Sequence, residues 1–334
     1  MQQVVNKTLS NYSDMAFQSA FVVLLVALIV SLFYTARMVV IVSARREIAA
    51  NSRAKELVTV GGPAEQSTAA QRFDTDELNA REAKADKLGG ATQALVWVGT
   101  VLDGAAVILR GMATGRMPLG NMYEYVMMIS FGVFLVSSFV FSRRSWRTVW
   151  PWVLTPMLAL MFYGATKLYA KSAPVVPALQ SNWLPIHVTT VSVGASIGIV
   201  SGVASLLYLL RTWQKPGKEH GVFGAMAKTL PTADKLDALA YKAGIITLPV
   251  FGLGIILGAI WAETAWGRPW GWDPKETVSF VSWILYAAYL HARATPSWRK
   301  GAAWINIVAL GTMIFNLFFI NMVVSGLHSY AGLN

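Results

Sequence analysis

The stretch WAETAWGRPWGWDPKE, residues 261–276, sits between two apolar runs, 244–262 and 278–293, and is dense in large aromatics. Trp261, Trp266, Trp270 and Trp272 fall within twelve residues, out of thirteen tryptophans in the chain. Tryptophan favours a membrane–water interface, which explains one or two at a helix end. Four in one connection, interleaved with Gly267 and Gly271, read instead as a floor for a flat apolar ligand. Indole rings supply rigid area at low entropic cost, and glycine lets the backbone come close. The segment then runs into Asp273, Pro274 and Glu276. An acidic residue followed by Pro and, three positions on, Glu is the pattern of a helix start with a capping box, so a helix is expected from Pro274 onward.

Outward from this connection the chain reads as membrane-embedded. Hydrophobic residues are 55% of 334 and charged residues 13%, about half the proportion of a soluble domain. Mean hydropathy is +0.48. Apolar runs at 17–42, 91–111, 121–141, 149–169, 187–210, 244–262, 278–293 and 303–325 approach or exceed the ~20 residues needed to cross a hydrocarbon core, which predicts an all-α polytopic membrane protein of about eight spans. The first run has no basic segment before it, no small-residue cleavage site, and too great a length for a signal sequence, so 1–43 reads as a retained span. Residues 44–90 are polar, rich in Ala, Glu, Arg and Lys, with GGP at 61–63. They read as a solvated linker whose later part, Thr75 to Leu88, has the charge pattern of a surface helix. Residues 91–334 then form the main transmembrane domain.

Charge orients these spans. The formal net charge is +11. In a soluble chain that would suggest nucleic acid, but no nucleic-acid-binding motif is present. Twenty lysines and arginines fall in 43–90, 143–147, 211–243 and 293–300, against seven in the N-terminus and the connections of the opposite side. The positive-inside rule places the twenty in the cytoplasm. Both termini and the Trp-rich connection are then extracytoplasmic. With no cysteine, the chain has neither a disulfide nor a thiol nucleophile.

The four histidines add a possible metal chemistry. His187, in NWLPIHVTT, begins the fifth span, and His328, in VSGLHSYAG, follows the last; both fall on the side of the Trp connection. Either alone reads as an interfacial polar residue. Together, flanking an aromatic floor, they have the look of an axial clamp for an iron. His291, near the inner end of the seventh span, is an ionisable group within a span and so a functional candidate or an interfacial side chain. His220 reads as solvated. Arg268, Lys275, Arg110 and Arg116 are alternately solvated loop charges or partners for ligand carboxylates. Asp103, in mid-span, reads as a buried hydrogen-bond or partner contact, and the methionines as packing.

The run WAETAWGRPWGWDPKETVSFVSWILYAAYLHAR resembles the Trp-rich WWD signature of the haem-handling membrane superfamily, and its continuation through YLHAR is most similar to the CcsA/ResC branch of system II cytochrome c biogenesis. PLGNMYEY at 118–125 resembles an element of that branch, and the likeness covers roughly 91–334. The resemblance implies a cytochrome c synthase component, a haem lyase, in a bacterial cytoplasmic membrane or a thylakoid. In that family the Trp segment, here Trp261, Trp266, Trp270, Trp272 and Asp273, positions haem b at the outer face. Two outer histidines, mapping onto His187 and His328, ligate iron. A membrane histidine, mapping onto His291, belongs to an inner haem site on an export route. The expected partners are a CcsB/ResB-type membrane protein, apocytochrome c and thiol-reducing proteins. The family's inner site uses a second histidine from the CcsB/ResB-type protein, and the first four runs here contain none. Two other readings stay open: a protein that delivers haem to a separate ligase, since the Trp signature also occurs there, and an unrelated solute transporter with an aromatic vestibule.

Overall fold

The computed structural model describes residues 5–58, 65–175 and 177–328. The described residues form nine α-helices and no strand: α1 (Lys7–Val58), α2 (Glu65–Thr114), α3 (Met122–Val140), α4 (Trp150–Lys167), α5 (Trp183–Trp213), α6 (Gly221–Lys228), α7 (Ala233–Trp266), α8 (Pro274–Arg293) and α9 (Arg299–Phe315). The chain is an all-α polytopic membrane protein. The extreme termini, expected outside the cytoplasm, lie beyond the described residues.

Seven of these helices are long and apolar enough to cross a membrane. The eighth expected span falls on α8, whose 20 residues reach about 30 Å at 1.5 Å per residue but are less apolar than those seven. Its composition is what sets it apart. Lys275, Ser279, Ser282, Tyr286 and Tyr289 recur at spacings of four and three and so share one face. That face turns into the bundle: Ser282, Tyr286 and Tyr289 are buried, Ser282 Oγ pairs with Thr312 Oγ1 of α9 at 2.9 Å, and Tyr286 donates to Met313 Sδ at 3.2 Å. Polar side chains inside a membrane bundle face other helices, not lipid, because hydrocarbon offers no hydrogen bond.

α1 packs on α2 and α4. α3 bridges α2 and α4 to α5, and α5 lies along α7 and α9, with α8 between those two. The close α5–α7 seam depends on glycine: a Cβ on Gly194 would stand 2.9 Å from the Phe251 backbone, and one on Gly254 would stand 2.5 Å from Val191. Small residues at such seams let helices approach where no hydrophobic effect drives them together. Leu25, Ile29 and Phe33 stay exposed on the outward face of α1, as expected for a lipid contact.

The 44–90 segment departs from the expected linker. Helix α1 continues to Val58, and α2 has begun by Glu65, so the helix expected at Thr75–Leu88 is part of α2. Alanine, glutamate, arginine and lysine are strong helix formers, and an aqueous boundary does not by itself end a helix. Arg45 pairs with Glu82 and donates to Asn79 at 2.8 Å, and Arg144 reaches Glu82 at 2.9 Å. Tyr34, Ile41 and Ala85 add a small buried cluster. GGP 61–63 lies outside the described residues.

Candidate functional site

The Trp-rich connection is built by two helix ends. α7 closes on Gly267, left-handed at φ 71°, whose N–H bonds Glu263 O. Trp272 also takes a positive φ, 58°, a conformation bulky residues rarely adopt outside strained turns. α8 then opens with the expected capping box. Asp273 Oδ2 accepts from Lys275 N, and Glu276 reaches back to the Asp273 N–H.

Asp273 does more than cap. Its Oδ1 accepts the Leu327 N–H at 2.8 Å, and its Oδ2 accepts from His328 Nδ1 at 2.7 Å. The chain beyond α9 is thus tied to the α7–α8 connection. Burial opposes ionisation of Asp273, but the His328 and Leu327 hydrogen bonds outweigh it and hold the carboxyl at about 2. Burial pushes His328 below its usual value, and Asp273 offsets this only in part. The pair at neutral pH is therefore a carboxylate and a neutral imidazole. The carboxylate can only accept, so Nδ1 carries the proton and Nε2 the basic lone pair.

His187 reaches the same tautomer by another route. It lies in the first turn of α5, and its Nδ1 is 2.8 Å from Gly254 O of α7. A carbonyl only accepts, so Nδ1–H donates and Nε2 is again the basic nitrogen. Gly258 makes the room, since a Cβ there would stand 2.7 Å from His187 Cε1. The His187 ring lies parallel to Trp261, 11° between planes and 5.8 Å between centroids. His328 is also 5.8 Å from Trp261, and 4.9 Å from Trp266. The two imidazoles therefore share one indole and stand no more than twice that distance apart.

Both line one cavity that is open on one side. It lies inside the bundle among α3, α5, α7, α8 and α9. Its walls are mostly apolar, with Tyr125, Ile129, Ile199, Phe251 and Met313 among them, and one side is polar: Lys275, Ser279, Asn316 and Asn321. A π-helical turn at Asn316–Ile320 continues α9 here, a feature common at functional sites.

The expected site residues separate into groups. His187, His328 and Trp261 line the cavity, and Trp266 packs on Trp261 and His328. Trp270 and Trp272 turn away: they pack on each other, Trp270 also meets Phe280, and Trp272 is 67% exposed. The four indoles are thus two pairs on either side of the turn, not one floor. Arg268 is occupied by Glu276 at 3.1 Å and lies over Trp266. His291 is exposed at the far end of α8, about 27 Å along the helix from Asp273. Asp103 accepts from Ser130 Oγ at 2.7 Å. Arg110 and Arg116 are spent on Glu124, and Arg110 also on Asp14. Glu124 in turn accepts from Gly120 N at 2.7 Å, so this network shapes PLGNMYEY, whose Leu119 to Met122 and Tyr125 form one cavity wall.

Sequence reasoning missed Gly254, Gly258, Asn316 and Asn321. The first two form a G-x-x-x-G pair within a span, and the asparagines are polar groups at membrane depth, so a signal existed for each.

Known proteins are similar to this chain over the same region. Residues 119–328 match the family described as "Cytochrome C assembly protein", and they contain the cavity, both its histidines and the whole Trp segment. Proteins named "Cytochrome c biogenesis protein CcsA" are similar. That of Guillardia theta is 33% identical over 243 residues, 67% of this chain and 80% of its own length. That of Parasynechococcus marenigrum (strain WH8102) is 31% identical over 266 residues, 72% and 86% of the two chains. That of Chlamydomonas reinhardtii is 33% identical over 239 residues, 68% and 65%. The chain belongs to the cytochrome c assembly family, as a CcsA-type, multi-pass membrane protein of cytochrome c biogenesis.

Proposed function

We propose that this protein is the haem-handling component of a system II cytochrome c synthase. In this reading it holds haem b in the cavity near the extracytoplasmic face and presents it to the C-x-x-C-H motif of an apocytochrome. The observation that carries the reading is the pair of histidines. Both have Nδ1–H fixed by an acceptor, both keep Nε2 as the basic nitrogen, and both line one cavity beside Trp261. A neutral imidazole oriented through its other nitrogen is the usual metal-ligating arrangement. The apolar walls suit a porphyrin face, so the residues fit this substrate.

The reaction adds two cysteine thiols across the two haem vinyl groups. Each addition forms one S–C bond on the vinyl carbon next to the ring and transfers the thiol proton to the terminal carbon. Both sulfurs must come from the apocytochrome, because this chain has no cysteine. The protein's part is positioning. Holding vinyl beside thiol makes the encounter effectively unimolecular, which in ideal cases is worth about 7–11 kcal/mol. Trp261 fixes the ring against one wall, and His187 and His328 hold iron until the histidine of C-x-x-C-H displaces one of them. His291, exposed at the opposite end of α8, is left for an inner haem site completed by a CcsB/ResB-type partner, with thiol-reducing proteins supplying reduced apocytochrome.

The test is co-expression with that partner and a C-x-x-C-H substrate. The expected product is haem that stays on the cytochrome under denaturing electrophoresis. Replacing His187 or His328 with Ala should lower its yield, and added imidazole should restore it. Haem bound without any thioether product would mean delivery to another ligase. Purified protein with no Soret band would refute haem handling altogether.

A further inference from the structure

We propose that Lys275 is the anion anchor of the cavity, its ammonium pairing with a propionate carboxylate of the bound porphyrin and so selecting the orientation in which the ring enters. The inference rests on the haem reading above.

Lys275 projects from the first turn of α8 and lines the same cavity as His187 and His328. The first turn is an unfavourable place for a cation, because the helix dipole presents its positive end there. A lysine on lipid- or water-facing surface would extend its ammonium toward water. This one instead donates to Asn321 Oδ1 in the bundle interior. Among the described residues it has no ion pair.

The neighbouring carboxylates are committed elsewhere. Asp273 serves Leu327 N–H and His328, and Glu276 serves Arg268 and the N–H groups of Gly271 and Asp273. Among the described residues no Asp or Glu lines the cavity, and Lys275 is the one formal charge there when the histidines are neutral. An ammonium has three N–H donors, and a neutral amide oxygen satisfies one of them. A low-dielectric cavity whose single charge lacks a counter-ion is completed by an anionic ligand. A porphyrin with two carboxylates on one edge supplies the missing charge, and the apolar walls receive the rest of the ring.

The experiment compares reduced haem b with its dimethyl ester, in which both carboxylates are blocked. Each is titrated by its Soret band into purified protein stripped of native haem in detergent. Wild-type protein is expected to bind the diacid about tenfold more tightly than the ester, the order of one charge-assisted hydrogen bond. Lys275→Met should bind both as wild type binds the ester, and Lys275→Arg should keep the preference. Equal binding of acid and ester by wild type overturns the proposal. That is also the result expected if the lysine serves a lipid phosphate, and it needs no variant to fold. A preference that survives in Lys275→Met overturns it as well. If neither porphyrin gives a histidine-ligated Soret band in wild type, the haem reading itself fails, and this inference with it.

Discussion

Replacing Asp273 with Asn changes one atom and should disable one of the two proposed iron ligands. Asparagine is as good an N-cap as aspartate, so α8 should still start at Pro274. The two donors from the C-terminal segment are affected differently. Leu327 N–H and His328 Nδ1–H reach separate oxygens of Asp273, at 2.8 and 2.7 Å, and asparagine has only one. Whichever way the amide turns, its NH2 faces one of these donors. If it faces His328, the ring must move its proton to Nε2, and the nitrogen proposed for iron is no longer basic. The carboxyl stands at about 2 against 3.8 in the open chain, nearly two units, which is on the order of 2–3 kcal/mol favouring the ionised form. Asp273 is only 7% exposed, so solvent screens little of this. A depressed folded value means that the contribution is complete above about pH 4 and is lost as pH falls through about 2. At pH 7 the variant therefore bears the whole loss. A buried orphan donor costs about 1–3 kcal/mol, and removing the carboxylate behind a metal-ligating histidine weakens metal binding about 10–100-fold. Soret titration of purified protein should show haem affinity down by that factor, with partial recovery in imidazole and an unchanged helical circular dichroism spectrum. An Asn variant that binds haem within about twofold of wild type would refute the account of His328.

Three further outcomes test other parts of the structure. Gly258→Ala puts a Cβ within 2.9 Å of His187 Nδ1 and should break the bond to Gly254 O, lowering haem affinity about tenfold or more while the thermal midpoint moves little; unchanged affinity would exclude His187 in its present orientation. Trp272→Gly should leave the thermal midpoint at or above wild type, because it relieves a positive φ worth about 1–3 kcal/mol and removes an exposed ring, whereas Trp261→Ala, at 1% exposure, should cost about 3–5 kcal/mol; equal effects in melting experiments would contradict the division of the four indoles. Burial opposes ionisation of Glu219, but Arg46 and local backbone N–H groups outweigh it and hold the carboxyl below its usual value. Its contribution is present above the open-chain value of 4.5 and is lost as pH falls through the folded one, so Glu219→Gln should lower the melting temperature at pH 7 and converge with wild type in acid.

How much of this was legible in the residues depended on how local the cause was. The capping box at Asp273 and Glu276 is a four-residue pattern with one physical meaning, and it was readable outright. So were the spans, because hydrocarbon demands a long apolar run whatever packs against it. The pairing of His187 with His328 followed from counting which connections fall on one side. What the residues did not disclose was fixed by neighbours far along the chain. The charged 44–90 stretch reads as a linker if taken alone; its arginines and glutamates become helix-to-helix ties only when Arg45 meets Glu82 across a hairpin.

The Trp segment is the instructive case. Spacing can place Trp261 and Trp266 on one helix, but it cannot carry that phase past Gly267 and a left-handed Trp272 into the next element, and it is there that Trp270 and Trp272 part from the first pair. The division has a consequence for the proposed chemistry. Trp261 and Trp266 back the cavity histidines, whereas Trp270, half-buried, and Trp272, exposed, lie outside the cavity. An apocytochrome peptide needs both a route to the vinyl groups and a surface to rest on, so haem retention and peptide presentation would rest on different indoles of one sixteen-residue segment. Variants of the inner pair should then fail at haem binding, and variants of the outer pair should retain haem and fail at its transfer.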